Sequence, residues 1–129
     1  MVVVDSSVWI DFFNGKKNES VRKFEEVLGK ELVVVPDLIR IEVLQGFSNE
    51  RDYGIAKDLL GGFLQAAILN ETVTGKTIDN FRLLRRKGVT IRKTIDVIIG
   101  TFCSVHGYEL LHCDSDFDLM GKHVDLKFV

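Results

Sequence analysis

Residues 32–45 read Leu32-Val33-Val34-Val35-Pro36-Asp37-Leu38-Ile39-Arg40-Ile41-Glu42-Val43-Leu44-Gln45. A largely β-branched run meets the chain's single proline, and an apolar segment follows. Branched side chains pack well on a pleated strand. Proline suits a first helical turn, so Pro36 marks the passage from strand to helix. Within that helix Leu38, Ile41 and Leu44 or Gln45 fall on one face. A strand running directly into a helix is the repeating unit of an α/β fold.

The same unit recurs in both directions. Short apolar runs occur at Val2 to Val4, Ala66 to Leu69, Leu110 to His112 and Leu126 to Val129. None alternates clearly, as expected of strands buried on both faces of a parallel sheet. Helical spacing joins Val21, Phe24, Val27 and Leu28, then Ile78, Phe81 and Leu84, then Ile95, Ile98, Ile99 and Phe102. Gly88 and Gly107 stand where helices should stop. The expected fold is therefore a three-layer α/β/α arrangement around a mainly parallel sheet of about five short strands. No linker, repeat or low-complexity tract divides residues 1–129, and the length suits one domain.

Composition narrows the function classes. Apolar residues are 46% and charged residues 28%, which excludes a disordered chain. The net charge of -2 gives no bulk attraction to nucleic acid, so any such surface must be local. The start, Met1 to Trp9, meets Asp5 early and has no basic leader, and no apolar run approaches the ~20 residues of a membrane helix. A cytoplasmic location with no membrane role is expected. Cys103 and Cys113 lack CxxC spacing and read as two small buried hydrophobes. His106, His112 and His123 have no zinc-ligand spacing.

In a parallel sheet, sites form at the carboxyl ends of strands. Asp5 closes the first run, and Asp114 follows Leu110-Leu111-His112-Cys113. Glu42 interrupts the apolar helix Leu38 to Gln45, and Asp96 lies near the start of the apolar helix Ile95 to Phe102. Each also has a structural reading. Asp5 and Asp114 could begin turns or cap helices, Asp96 could be a first-turn acid behind a Thr94 cap, and Glu42 could be solvated. Taken together, two acids at the ligand edge and two in apolar helices suggest one cluster, because an unpaired buried charge is costly. A divalent cation would relieve the repulsion, and an all-oxygen donor set favours Mg2+ or Mn2+. Such a site suits phosphodiester hydrolysis, with one ion activating water and a second, if present, stabilising the leaving oxygen. A carboxylate could also take the water's proton.

These strings resemble the PIN-domain nucleases, in particular VapC-type toxins of toxin–antitoxin pairs. The opening Val3-Val4-Asp5-Ser6-Ser7-Val8-Trp9-Ile10-Asp11-Phe12 is similar to that family's start. Glu42-Val43-Leu44-Gln45-Gly46 is similar to its second acidic motif, Arg92 to Gly100 to its third, and Leu110 to Phe117 to its fourth. The resemblance spans nearly the whole chain. It implies that Asp5, Glu42, Asp96 and Asp114 are the catalytic, metal-binding quartet, with Asp116 a further metal ligand or else a helix N-cap. It implies that Ser7 bonds an acidic neighbour or a water at the metal, and that the cofactor is one or two Mg2+ or Mn2+ ions. It also implies an RNA substrate, a homodimer, and a small antitoxin whose arginine enters the acidic groove. Gly100, where many relatives carry alanine, is expected to loosen helix packing.

Arg82, Arg85, Arg86, Lys87, Arg92 and Lys93 form a basic stretch without an acid. It is either a solvated face or a rim contacting the RNA backbone near Asp96. Other functions are a PIN nuclease of RNA processing or decay without an antitoxin, and a non-catalytic module binding RNA or protein. The intact quartet argues against the module, and a neighbouring reading frame would separate the two nucleases. A signalling receiver domain fits poorly, since no aspartate follows Ala66 to Leu69.

Overall fold

The computed structural model describes residues 1–129. Five strands, β1 (Val2–Val4), β2 (Val33–Pro36), β3 (Leu64–Ala66), β4 (Glu109–Leu111) and β5 (Lys127–Phe128), form one sheet in the order β3-β2-β1-β4-β5. Every pairing is parallel. Seven helices complete the chain: α1 (Ser6–Phe13), α2 (Glu19–Val27), α3 (Asp37–Leu44), α4 (Glu50–Gly61), α5 (Glu71–Arg86), α6 (Thr94–His106) and α7 (Ser115–Gly121). Helices α1 to α4 pack in series as one group, and α5, α6 and α7 as another. All three residues of β1 are buried, so the central strand is covered on both faces. No helix is long and apolar enough to cross a membrane.

The expected α/β/α fold with a parallel five-stranded sheet is what forms. Several details differ from the sequence reading. The third strand is Leu64–Ala66, earlier than the apolar run Ala66 to Leu69. The apolarity of that run serves the core after the strand ends: Ile68 is fully buried, and its N–H donates to Asp37 Oδ1 at 3.3 Å. Pro36 is still in the ladder, paired with Ala66, and occupies the N-cap position of α3 rather than its first turn. The buried face of α3 is Ile39 and Val43, whereas Ile41 is 58% exposed. Similarly, α5 buries Val73, Thr77 and Leu84 and leaves Ile78 exposed. Cys103 is buried as expected, and Cys113 is exposed.

Gly88 and Gly107 end α5 and α6 with positive φ, as a helix stop requires. Gly100 does the opposite of loosening the packing. A Cβ built there would lie 2.4 Å from Met120 Sδ, so the missing side chain lets α7 approach α6 closely. The aromatic centre is Trp9, fully buried, with its ring centroid 4.7 Å from Phe24 and 5.5 Å from Phe63. It fastens α1 to the core one turn after Asp5.

Candidate metal centre

The order β3-β2-β1-β4-β5 places a topological switch point between β1 and β4, where successive connections leave in opposite directions. Ligand crevices form at the carboxyl ends of strands flanking such a point. Asp5 follows β1 directly, and its N–H donates to Leu111 O at 2.8 Å, tying it to the end of β4. Asp114 lies three residues beyond Leu111. Its N–H donates to His112 Nδ1 at 3.1 Å, which fixes the loop that carries it. Glu42 reaches the same edge from α3 and Asp96 from the first turn of α6.

Asp5 and Asp114 are indeed helix N-caps. Asp5 Oδ2 accepts from Ser7 N at 3.1 Å and Ser7 Oγ at 2.6 Å, and Asp114 Oδ1 accepts from Asp116 N at 3.0 Å. Capping consumes one oxygen of each carboxylate. Asp5 Oδ1 remains buried with no protein partner, as do Glu42 Oε1 and Asp96 Oδ2. Three buried oxygens from three elements therefore lack a donor, which is unfavourable by roughly 1–3 kcal/mol or more for each such group. A cation fits this donor set better than a neutral hydrogen-bonding group, because the oxygens carry charge that also repels. The side-chain ligand atoms of Asp96, Asp114 and Asp116 additionally lie within 4.8 Å of one another.

Electrostatics report the same crowding. Burial, then the charges of Asp5 and Asp114, pushes Asp96 up to about 7, with Glu42 adding to the rise and Lys93 opposing it. Burial and then Asp5 push Glu42 upward, while the Ser6 hydroxyl and Lys93 pull the other way. Carboxyls raised by mutual repulsion and desolvation are typical of functional clusters.

The structure thus brings Asp5, Glu42, Asp96 and Asp114 to one edge, with Ser7 on Asp5. Ser6, beside Glu42, was not among the expected residues; only its adjacency to Asp5 hinted at it. The first turn of α6 is not capped by Thr94: Lys93 holds the N-cap position without a side-chain bond. Asp116 is not an N-cap, because Asp114 has that role. Asp116 Oδ2 instead accepts from Arg92 N at 3.3 Å and Arg92 Nε at 3.1 Å, and Arg92 also lies 3.6 Å from Asp114 Oδ1. Arg92 is therefore drawn from the basic stretch into the carboxylate edge. Arg82, Arg85, Arg86 and Lys87 stay exposed at the end of α5, where their charge also suits the helix dipole. Lys93 is exposed but close enough to affect Glu42 and Asp96.

An all-parallel sheet with acidic side chains converging at its switch point defines the class. A family model of the PIN domain matches residues 2–123, and the chain belongs to that family. Ribonuclease VapC11 of Mycobacterium tuberculosis is 22% identical over 129 residues, covering 98% of this chain and 96% of that protein. The fold is also that of a chain in VapBC2 from Rickettsia felis, solved bound to a DNA fragment from their promoter. That match has a TM-score of 0.80 at 13% identity, covering 100% of this chain and 98% of the other. FitAcB from Neisseria gonorrhoeae matches with a TM-score of 0.75 at 16% identity, covering 99% and 96%.

Proposed function

We propose that residues 1–129 form a single PIN domain acting as a divalent-metal-dependent endoribonuclease, the toxin of a VapBC-type toxin–antitoxin module. The observation that carries the nuclease reading is the set of unpartnered buried oxygens on Asp5, Glu42 and Asp96 at the sheet's switch point. The toxin reading rests on the full-length similarity to proteins named VapC ribonucleases and on the fold shared with VapBC complexes. An antitoxin partner, a homodimer and an RNA substrate belong to the same proposal.

Asp5, Glu42, Asp96 and Asp114 would hold Mg2+ or Mn2+, which when bound supplies Lewis acidity toward a phosphodiester and an acidified water. The chain's own contribution is placement. Ser7 and the α1 backbone fix Asp5 through one oxygen and leave the other toward the site. The raised affinity of Asp96 for a proton makes it the best candidate to accept one from the attacking water near neutral pH. Exposed Arg85, Arg86 and Lys87 are suited to phosphate contacts that give affinity without reading bases.

Two expected outcomes follow from this assignment. The first concerns stability against pH. In the folded chain Asp96 holds its proton to about 7, against an ordinary value of 3.8, so its favourable contribution is complete below ~4 and is lost as pH rises through ~7. The metal-free melting temperature should fall between pH 5 and pH 8. Divalent ions need the charged form, so Mn2+ should stabilise more at pH 8 than at pH 5. At tenfold above its Kd the gain is about 1.4 kcal/mol, or roughly 4–8 °C. Thermal melts with Mn2+ and with EDTA check this, and a larger Mn2+ effect at pH 5 contradicts it.

The second concerns RNA. Replacing Arg85, Arg86 and Lys87 with Gln should weaken RNA binding and reduce the salt slope by up to about 3, since each lost phosphate contact removes nearly one unit. Binding titrations across salt concentration measure this. Unchanged affinity with an unchanged slope leaves the stretch as a solvated face.

The experiment for the function itself uses a circular RNA, which offers no ends. Incubation with Mn2+ should yield linear products. Circles left intact while linear RNA is shortened from its ends would contradict an endonuclease.

A further inference from the structure

We infer that Arg92 is a built-in counter-cation that closes the Asp114–Asp116 edge to a second metal ion, and that Asp116 positions Arg92 instead of binding metal. This rests on the metal-centre reading above.

The cluster has two unlike edges. On one, Asp5 Oδ1, Glu42 Oε1 and Asp96 Oδ2 are buried and accept from no protein donor. On the other, every contact is with Arg92 or a backbone amide. Asp116 is 5% exposed, and a single oxygen, Oδ2, takes both the main-chain N–H and the Nε of Arg92. The main-chain bond matters, because it holds Arg92 beside Asp116 whatever rotamer the guanidinium adopts. The terminal Nη2 then falls 3.6 Å from Asp114 Oδ1, the oxygen that also caps α7.

A guanidinium is always charged and presents its donors as a rigid fork, which suits it to span two carboxylates. The three carboxylates of Asp96, Asp114 and Asp116 are spaced closely enough to hold an ion of their own. Arg92 supplies the positive charge there. A divalent ion approaching that edge meets a fixed cation, whereas one approaching Asp5, Glu42 and Asp96 meets unpaired oxygens. The protein accordingly binds one divalent ion, and removing the guanidinium opens a place for a second.

Calorimetric titration of Mn2+ into the metal-free chain tests this. The wild type should bind one ion per chain. Arg92→Gln should bind two, Arg92→Lys, which keeps the charge, should stay at one, and Asp116→Asn should stay at one with unchanged affinity. The double variant Arg92→Gln/Asp116→Asn should return to one. Cooperative melts confirm that each variant is folded, and Arg92 tolerates change because its side chain is 72% exposed. Two ions in the wild type with one lost in Asp116→Asn would overturn the inference. So would Arg92→Gln holding one ion at wild-type affinity. If no Mn2+ binds to the wild type, the metal-centre reading itself falls and takes the inference with it.

Discussion

Asp96→Asn should lower RNA cleavage by on the order of 10^3-fold while raising the melting temperature of the metal-free protein. The loss follows from position. Groups that only support a metal's ligands already cost ~10–100-fold when changed, and a group facing the metal and the water directly costs more. The gain follows from the same burial. Asp96 is 4% exposed and has an oxygen with no donor, and Asp5, Asp114 and Glu42 all disfavour its charge. Asn keeps the shape and removes the charge, so ~1 kcal/mol or more of repulsion is relieved above pH 7, worth roughly 3–6 °C. Opposite signs in the two readouts separate this account from misfolding, which would lower both. Cleavage rates under single-turnover conditions and parallel melts measure the pair. A variant that cleaves like the parent removes Asp96 from the chemistry.

Trp9→Ala carries the largest expected effect on stability. The indole is fully buried against Phe24 and Phe63, with Phe13 stacked at 6.0 Å and Phe12 edge-on at 6.4 Å. Truncating a large buried aromatic costs ~3–5 kcal/mol, a drop of roughly 10–25 °C for a domain of this size. Trp9→Phe should be far milder, because the ring contacts survive in part and the indole N–H, which has no acceptor, is removed. Because Trp9 anchors α1, whose N-cap is Asp5, the alanine variant should also lose metal affinity before it unfolds. Denaturant melts and Mn2+ titrations check both points. Equal losses in the alanine and phenylalanine variants would contradict the ring-packing explanation.

The four carboxylates were legible in the sequence because their signals are local. Asp5 and Asp114 each follow a short apolar strand, and Glu42 and Asp96 each break an apolar helix. The fold class was legible for the same reason, since unalternated strands mean a sheet covered on both faces. Face assignments were less so. In α3 Leu38, Ile39, Ile41, Val43 and Leu44 are apolar all round, so periodicity alone could not choose Ile39 and Val43 over Ile41. Helix α4 escaped notice because it buries only Ala56 and Leu60 and carries Gly54 and Gly61, which blur the pattern. The edge strand β3 is largely exposed, so its residues do not form the apolar run. The partner of Asp116 was out of reach for a different reason: Arg92 lies 24 positions away, and only the folded chain joins them.

The central claim is that Asp5, Glu42, Asp96 and Asp114 form a divalent-metal site that hydrolyses RNA. The most direct measurement is cleavage of a circular RNA by the wild-type chain, first freed of metal and then given Mn2+. The account predicts no linear product in EDTA and rapid linearisation once Mn2+ is in excess. Linearisation that persists undiminished in EDTA would contradict it.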